Sequence, residues 1–127
     1  MFNELEKLIH IEGNERSFLY KDWNCKVIRR NGGYLCGYVK MPDDSLFCRK
    51  DYDSDPLCNL QVHGGLTYAD ELVNEDGWWI GFDCAHHGDM IPYFNDHIGQ
   101  YRDMKYVVQE LKNLVHQLIL LEEENRC

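Results

Sequence analysis

Between residues 100 and 124, Tyr101, Met104, Val107, Val108, Leu111, Leu114, Val115, Leu118 and Leu121 recur every three or four positions. That spacing lines one face of an α-helix. At ~1.5 Å per residue the helix would be about 35 Å long, and an apolar stripe of that length needs an equally long apolar surface to cover it. The last turns, Leu118, Ile119, Leu120 and Leu121, are apolar on more than one side, so some surface is expected to be left over for a homodimer or another partner.

The upstream chain offers strands rather than a second long helix. Residues 23–29 alternate, with Trp23, Cys25, Val27 and Arg29 on one side and Asn24, Lys26 and Ile28 on the other. Asn31-Gly32-Gly33 then predicts a tight turn, and residues 34–39 a returning strand. Residues 59–63 read as a third strand that Leu66-Thr67-Tyr68 continues, with Gly64-Gly65 allowing a bulge between them. Residues 78–83 lack polar alternation, which predicts a strand buried on both faces. Leu5, Leu8 and Ile9 share one face of a short N-terminal helix ending before Gly13. Residues 42–56 carry turn residues, with one helical turn expected around Ser45-Leu46-Phe47, and residues 88–99, holding Pro92, read as irregular. The expected fold is a single α+β domain over residues 1–127: an antiparallel sheet of four to six strands with a long C-terminal helix and a short N-terminal helix.

Side chains capable of chemistry concentrate in residues 77–89, GWWIGFDCAHHGD, where an apolar run leads into Asp83, Cys84, His86, His87 and Asp89. A strand end followed by a glycine-containing loop can aim several N, S or O donors at one point, as zinc requires. Asp83 and Cys84 point to opposite faces of an extended strand, so a break near Ala85 and Gly88 is needed before either joins His86 and Asp89. His63, ahead of Gly64-Gly65, is placed as a more distant ligand. Taken singly, each residue is better read as a core thiol or a turn-capping histidine. As a group within a few positions they predict a zinc site bound through His63 and His86, with Asp83, Cys84 or Asp89 completing it and His87 exposed. Cys25 and Cys36 fall inside apolar strand patterns and read as core thiols, either one being a candidate fourth ligand.

The net charge of −9 is unevenly spread. Residues 41–76 hold nine acidic residues (Asp43, Asp44, Asp51, Asp53, Asp55, Asp70, Glu71, Glu75, Asp76) against Arg49 and Lys50, while residues 21–40 hold five basic ones against Asp22. Direct binding to a nucleic-acid backbone is disfavoured by this balance. It suits docking on a basic surface of another macromolecule, or simply a solvated acidic loop. With neither a secretory leader pattern nor an apolar run of the ~20 residues a membrane span requires, the chain is expected to be cytoplasmic, and its six cysteines reduced.

Several stretches resemble a family of small bacterial and phage proteins of unassigned function: Cys36-Gly37-Tyr38-Val39; residues 62–68, VHGGLTY; residues 78–86, WWIGFDCAH, with Gly88-Asp89; and Tyr101-Arg102-Asp103 with Tyr106-Val107. Family members usually carry a small residue where this chain has His87, which leaves His87 outside the site. Phage-encoded members of this size include candidate anti-CRISPR proteins. The resemblance implies a zinc-containing inhibitor in the host cytoplasm, with a Cas9-type nuclease effector as its partner and target-DNA loading as the step it blocks.

Three functions follow as expectations. In the first, zinc organises the fold and the acidic face docks on the effector, whose positively charged channel holds the guide heteroduplex. In the second, His63, His86 and one Asp or Cys hold a zinc-bound water in a small hydrolase, with Asp89 or Asp83 as general base. In the third, Trp78, Trp79 and Tyr68 hold a small ligand, although aromatics in an apolar strand usually belong to the core.

Overall fold

The computed structural model describes residues 3–94 and 98–126. Its elements run α1 (Glu4–Glu12), β1 (Glu15–Tyr20), β2 (Trp23–Arg29), β3 (Leu35–Met41), a 3-10 turn (Leu57–Asn59), β4 (Tyr68–Asp70), β5 (Trp78–Asp83) and α2 (Met104–Asn125). The five strands form one antiparallel sheet in the order β1-β2-β3-β5-β4, an α+β architecture with one long and one short helix.

The period-two pattern decides which side chains meet α2. In β5, Ile80 and Phe82, and Cys84 just beyond, join the main core with Val27, Leu35, Val39 and Met41 of the central strands. The stripe of α2 closes that core: Val107, Leu111, Leu114, Val115 and Leu118 are all fully buried. On the opposite face, Cys36, Tyr38, Leu72 and Trp79 form a smaller cluster, with Tyr34 and Tyr68 packed at its edge. This second cluster is why β5 has no exposed alternate positions.

Four local readings need correction. Helix α2 begins at Met104 rather than at residue 100, because the Asp103 carboxylate accepts the Tyr106 N–H at 2.8 Å and caps the helix. Tyr101 therefore lies ahead of the helix. Residues 59–63 are not a strand. Their backbone is held instead by side chains of α2: Gln61 N–H donates to Gln117 Oε1 and Gln117 Nε2 donates to Gln61 O, both at 2.8 Å, and His63 N–H donates to Glu110 Oε1 at 2.8 Å. Residues 45–47 form turns rather than a helical turn. The edge strand β1 was not expected, its residues being mostly exposed and weakly patterned.

Helix α1 has the expected ends: Asn3 Oδ1 accepts the Glu6 N–H at 2.8 Å, and Gly13 takes φ 79° after the last turn. Only Ile9 of its apolar face is buried, so it is a light cover. Of the four apolar residues at the end of α2, Leu118 is fully buried and Leu120 is 56% exposed. The expected irregular stretch 88–99 includes residues 95–97, which lie outside the described residues. No helix among the described residues is long and apolar enough to cross a membrane.

Candidate functional site

The loop after β5, the Val62-His63-Gly64 turn and the start of α2 meet at one end of the sheet. Asp89 is the centre: its side chain is 1% exposed and it accepts from three directions. His63 Nε2 lies 2.8 and 2.9 Å from its two oxygens, Arg102 Nε donates to Oδ1 at 2.9 Å, and His86 N–H donates to Oδ2 at 3.0 Å. Burial pushes the Asp89 carboxyl pKa up, but the hydrogen bonds from His63, Arg102 and the His86 backbone outweigh it and hold the group below its ordinary value.

The other face of the His63 ring meets α2, with Nδ1 2.8 Å from the Tyr106 hydroxyl. A carboxylate only accepts, so the His63 ring donates from Nε2 to Asp89, and its Nδ1 accepts a hydrogen bond from the Tyr106 hydroxyl. The result is a continuous chain, Asp89, His63, Tyr106. The Arg102 guanidinium also lies 5.3 Å from the Tyr106 ring centroid. Burial raises the Tyr106 phenol pKa, so the hydroxyl is a neutral donor.

Asp83 and His86 form a neighbouring pair. Asp83 lies on the sheet face away from α2, where its Oδ2 accepts from Thr67 Oγ1 at 2.9 Å and its Oδ1 from Ala85 N–H at 3.1 Å. His86 Nε2 is 3.2 Å from Asp83 Oδ1, yet it is buried and makes no hydrogen bond. The His86 ring rests on Gly64 (φ 70°), where any Cβ would collide with it. A glycine is needed there both for the turn and for that close approach. The His63 and His86 ring centroids are 6.1 Å apart.

His63, Asp89, His86 and Asp83 thus gather at one end of the sheet, while Cys84 does not join them. Its thiol is 1% exposed in the core, its N–H is bonded to Leu35 O as an extension of the sheet, and burial raises its pKa. His87 is exposed. Cys25 and Cys36 are buried free thiols, and none of the five described cysteines is in a disulfide; Cys127 lies outside the described residues.

In this arrangement His63 and Asp89, two of the candidate zinc ligands, bond to each other. Both ring nitrogens of His63 and both oxygens of Asp89 are engaged, and a guanidinium already neutralises that carboxylate. Among the described residues, no three His, Cys, Asp or Glu side chains form a metal-holding group.

Arg102, Tyr106, Glu110 and Thr67 complete the cluster without having been singled out as ligands. A signal for part of it existed: Tyr106, Glu110, Asn113 and Gln117 follow one another at helical spacing, a polar flank beside the apolar stripe. Comparison with protein-family models, with curated proteins and with solved structures finds no match to this chain.

Proposed function

We propose that this protein acts by binding, with the acidic surface of residues 43–76 docking on a basic surface of a macromolecular partner. The resemblance in its motifs suggests a Cas9-type nuclease, whose target-DNA channel the acidic surface would occupy. The observation that carries this reading is the disposition of charge. Of the nine acidic residues, all but Glu75 are exposed, and only Asp76, Glu71 and Glu75 have a basic partner, in Lys40, Arg49 and Lys26. Asp43, Asp44, Asp51, Asp53, Asp55 and Asp70 have no ion-pair partner among the described residues.

These charges sit on an anchored loop. Phe47 and Leu57 are buried in the core, Trp78 Nε1 donates to Lys50 O at 3.2 Å, Arg126 donates to Asp44 O at 2.8 Å, and Ser45 bonds to Glu122. Negative charge held on a fixed frame gives a defined complementary surface and speeds association with a basic partner.

The test replaces Asp51, Asp53 and Asp55 by Asn together and measures inhibition of target-DNA binding by a susceptible Cas9-type nuclease in a gel shift. Inhibition should weaken in the variant, and wild-type inhibition should weaken as salt rises and the Debye length shrinks from ~10 Å at 0.1 M to ~3 Å at 1 M. A triple variant as inhibitory as the parent at every salt concentration removes the acidic loop from the interface.

A second reading, acid–base hydrolysis, is favoured by the Asp89-His63-Tyr106 chain, which links a buried carboxylate to a partly exposed hydroxyl. Under it, Tyr106→Phe and His63→Asn abolish turnover of a chromogenic ester and phosphodiester panel, and the triple Asn variant does not. Absence of wild-type turnover above buffer on that panel rules the reading out.

A further inference from the structure

We propose that two copies of this chain pair through α2, the helices antiparallel, with the acidic end of each seated in a basic groove beside the start of the other. The groove, about 610 Å³, runs between α1 and the first half of α2, with Leu8, Ile11, Arg16, Lys105, Val108 and Lys112 among its walls. The pairing uses none of the acidic residues 43–76 assigned above to a partner.

The groove has aliphatic walls and a cationic rim. Leu8 and Ile11 are 39% and 80% exposed and stand across from the buried Val108. Arg16, Lys105 and Lys112 have no ion-pair partner among the described residues, although the chain carries nine more negative than positive charges. The two carboxylates in the walls are already engaged: Glu12 holds Arg29, the Tyr101 hydroxyl and Met104 N–H, and Asp103 caps α2. Aliphatic walls offer no ring for a nucleobase to stack on. They suit an acidic segment that also presents an apolar side chain.

Such a segment lies at the far end of the same helix. Lys105, Gln109, Asn113, His116, Leu120 and Glu123 are all exposed and recur every three or four residues, so they form one solvent-facing stripe of α2. Charge is segregated along that stripe. Lys105 stands at its start, while at its end the exposed Leu120 is followed by Glu123 and Glu124, which have no ion-pair partner among the described residues.

Antiparallel pairing about a two-fold axis gives each groove one such end, so the complementary contact forms twice and the assembly closes at two copies. Glu123 lies three residues after Leu120, and Lys105 three before Val108. An antiparallel register that sets Leu120 against Val108 therefore also sets Glu123 against Lys105. One register satisfies the apolar and the charged contact together.

The test is sedimentation equilibrium of the full chain at 0.15 M salt, where a Debye length of ~8 Å screens the repulsion between two acidic copies. A concentration-dependent dimer is expected. Lys105→Glu and Leu120→Lys should each weaken it at least about tenfold, because each puts like charges together in both contacts. Lys105→Glu combined with Glu123→Lys should restore most of the loss. An acid near the start of a helix and a base near its end both suit the helix dipole, so the swap leaves α2 intact. Carbodiimide, which joins an amine to a carboxylate in contact with it, should link Lys105 to Glu123 in the dimer. Within one copy those residues are ~27 Å apart along the helix at ~1.5 Å per residue, out of reach of such a link. The proposal is overturned by a monomer at every concentration up to about 1 mM, by a dimer that Lys105→Glu and Leu120→Lys leave unchanged, or by a charge swap that dimerises no better than Lys105→Glu alone.

Discussion

Tyr101 and Arg102 are consecutive, yet they serve two different polar clusters on either side of the start of α2. Tyr101 enters a closed one. Arg29, its side chain 2% exposed, donates to Gly13 O, Gly33 O, Glu12 and the Tyr101 hydroxyl, and Glu12 in turn accepts from the Tyr101 hydroxyl and from Met104 N–H. These bonds tie α1, the β2–β3 turn and the first turn of α2 together. Arg102 enters the other cluster, where Asp89 is equally buried but His63 and Arg102 are 13% and 22% exposed. The same pairing of arginine and carboxylate is a bracket in one place and, in the other, a solvent-facing edge with two histidines. What separates them is access to water and the presence of two imidazole rings beside the carboxylate.

Of the changes to these two clusters, Arg29→Ala should have the largest effect on stability. It leaves the buried Glu12 without its counter-charge and the Gly13 and Gly33 carbonyls without their Arg29 donors, a loss of about 3–5 kcal/mol by analogy with broken buried pairs. Chemical denaturation measures it, and a loss under about 1 kcal/mol would show the bracket to be dispensable. Asp89→Asn should cost less, roughly 2–3 kcal/mol, because water can reach Arg102.

Acidification sharpens the difference between wild type and Asp89→Asn. The Asp89 pKa is lowered in the folded state, so its contribution is complete above the ordinary value of 3.8 and is lost as pH falls through the folded value. The stability gap between wild type and Asp89→Asn should hold from neutral pH down to about that value and narrow below it. A gap that stays constant down to pH 2 would contradict this account.

Tyr106→Phe removes one hydrogen bond from a half-buried site and should cost about 1 kcal/mol. The Asp51, Asp53 and Asp55 replacements touch neither cluster and should each shift stability by no more than ~0.5 kcal/mol. At the small end, a strong zinc chelator should leave the melting temperature unchanged. Stoichiometric zinc that is lost together with stability in His63→Ala and His86→Ala would instead mean that the His63, Asp89 and Arg102 contacts rearrange around an ion.

The local pattern was enough for the elements whose own residues satisfy them. The stripe of α2, the β2–β3 hairpin around Asn31-Gly32-Gly33 and the apolar run of β5 could be read directly, because periodicity and turn chemistry act over a few residues. The grouping of His63 with residues 83–89 was also legible, since those residues lie at the mouth of strands already recognisable.

Tertiary structure alone decided how that group is wired. Residues 59–63 have strand-like composition, but their backbone donors and acceptors found Glu110 and Gln117 on a helix about fifty positions later, a choice no local pattern records. Cys84 stayed in the core because the alternation of β5 continues one residue past its end. Asp89 is met by Arg102, a cation brought in by the turn before α2, and its two oxygens are therefore used within the protein. Glu12, Arg29 and Tyr101, spread over ninety residues, gave no sequence signal as a unit. Burial of a charge obliges it to find a partner, and which partner it finds depends on where the folded chain places the remaining polar groups.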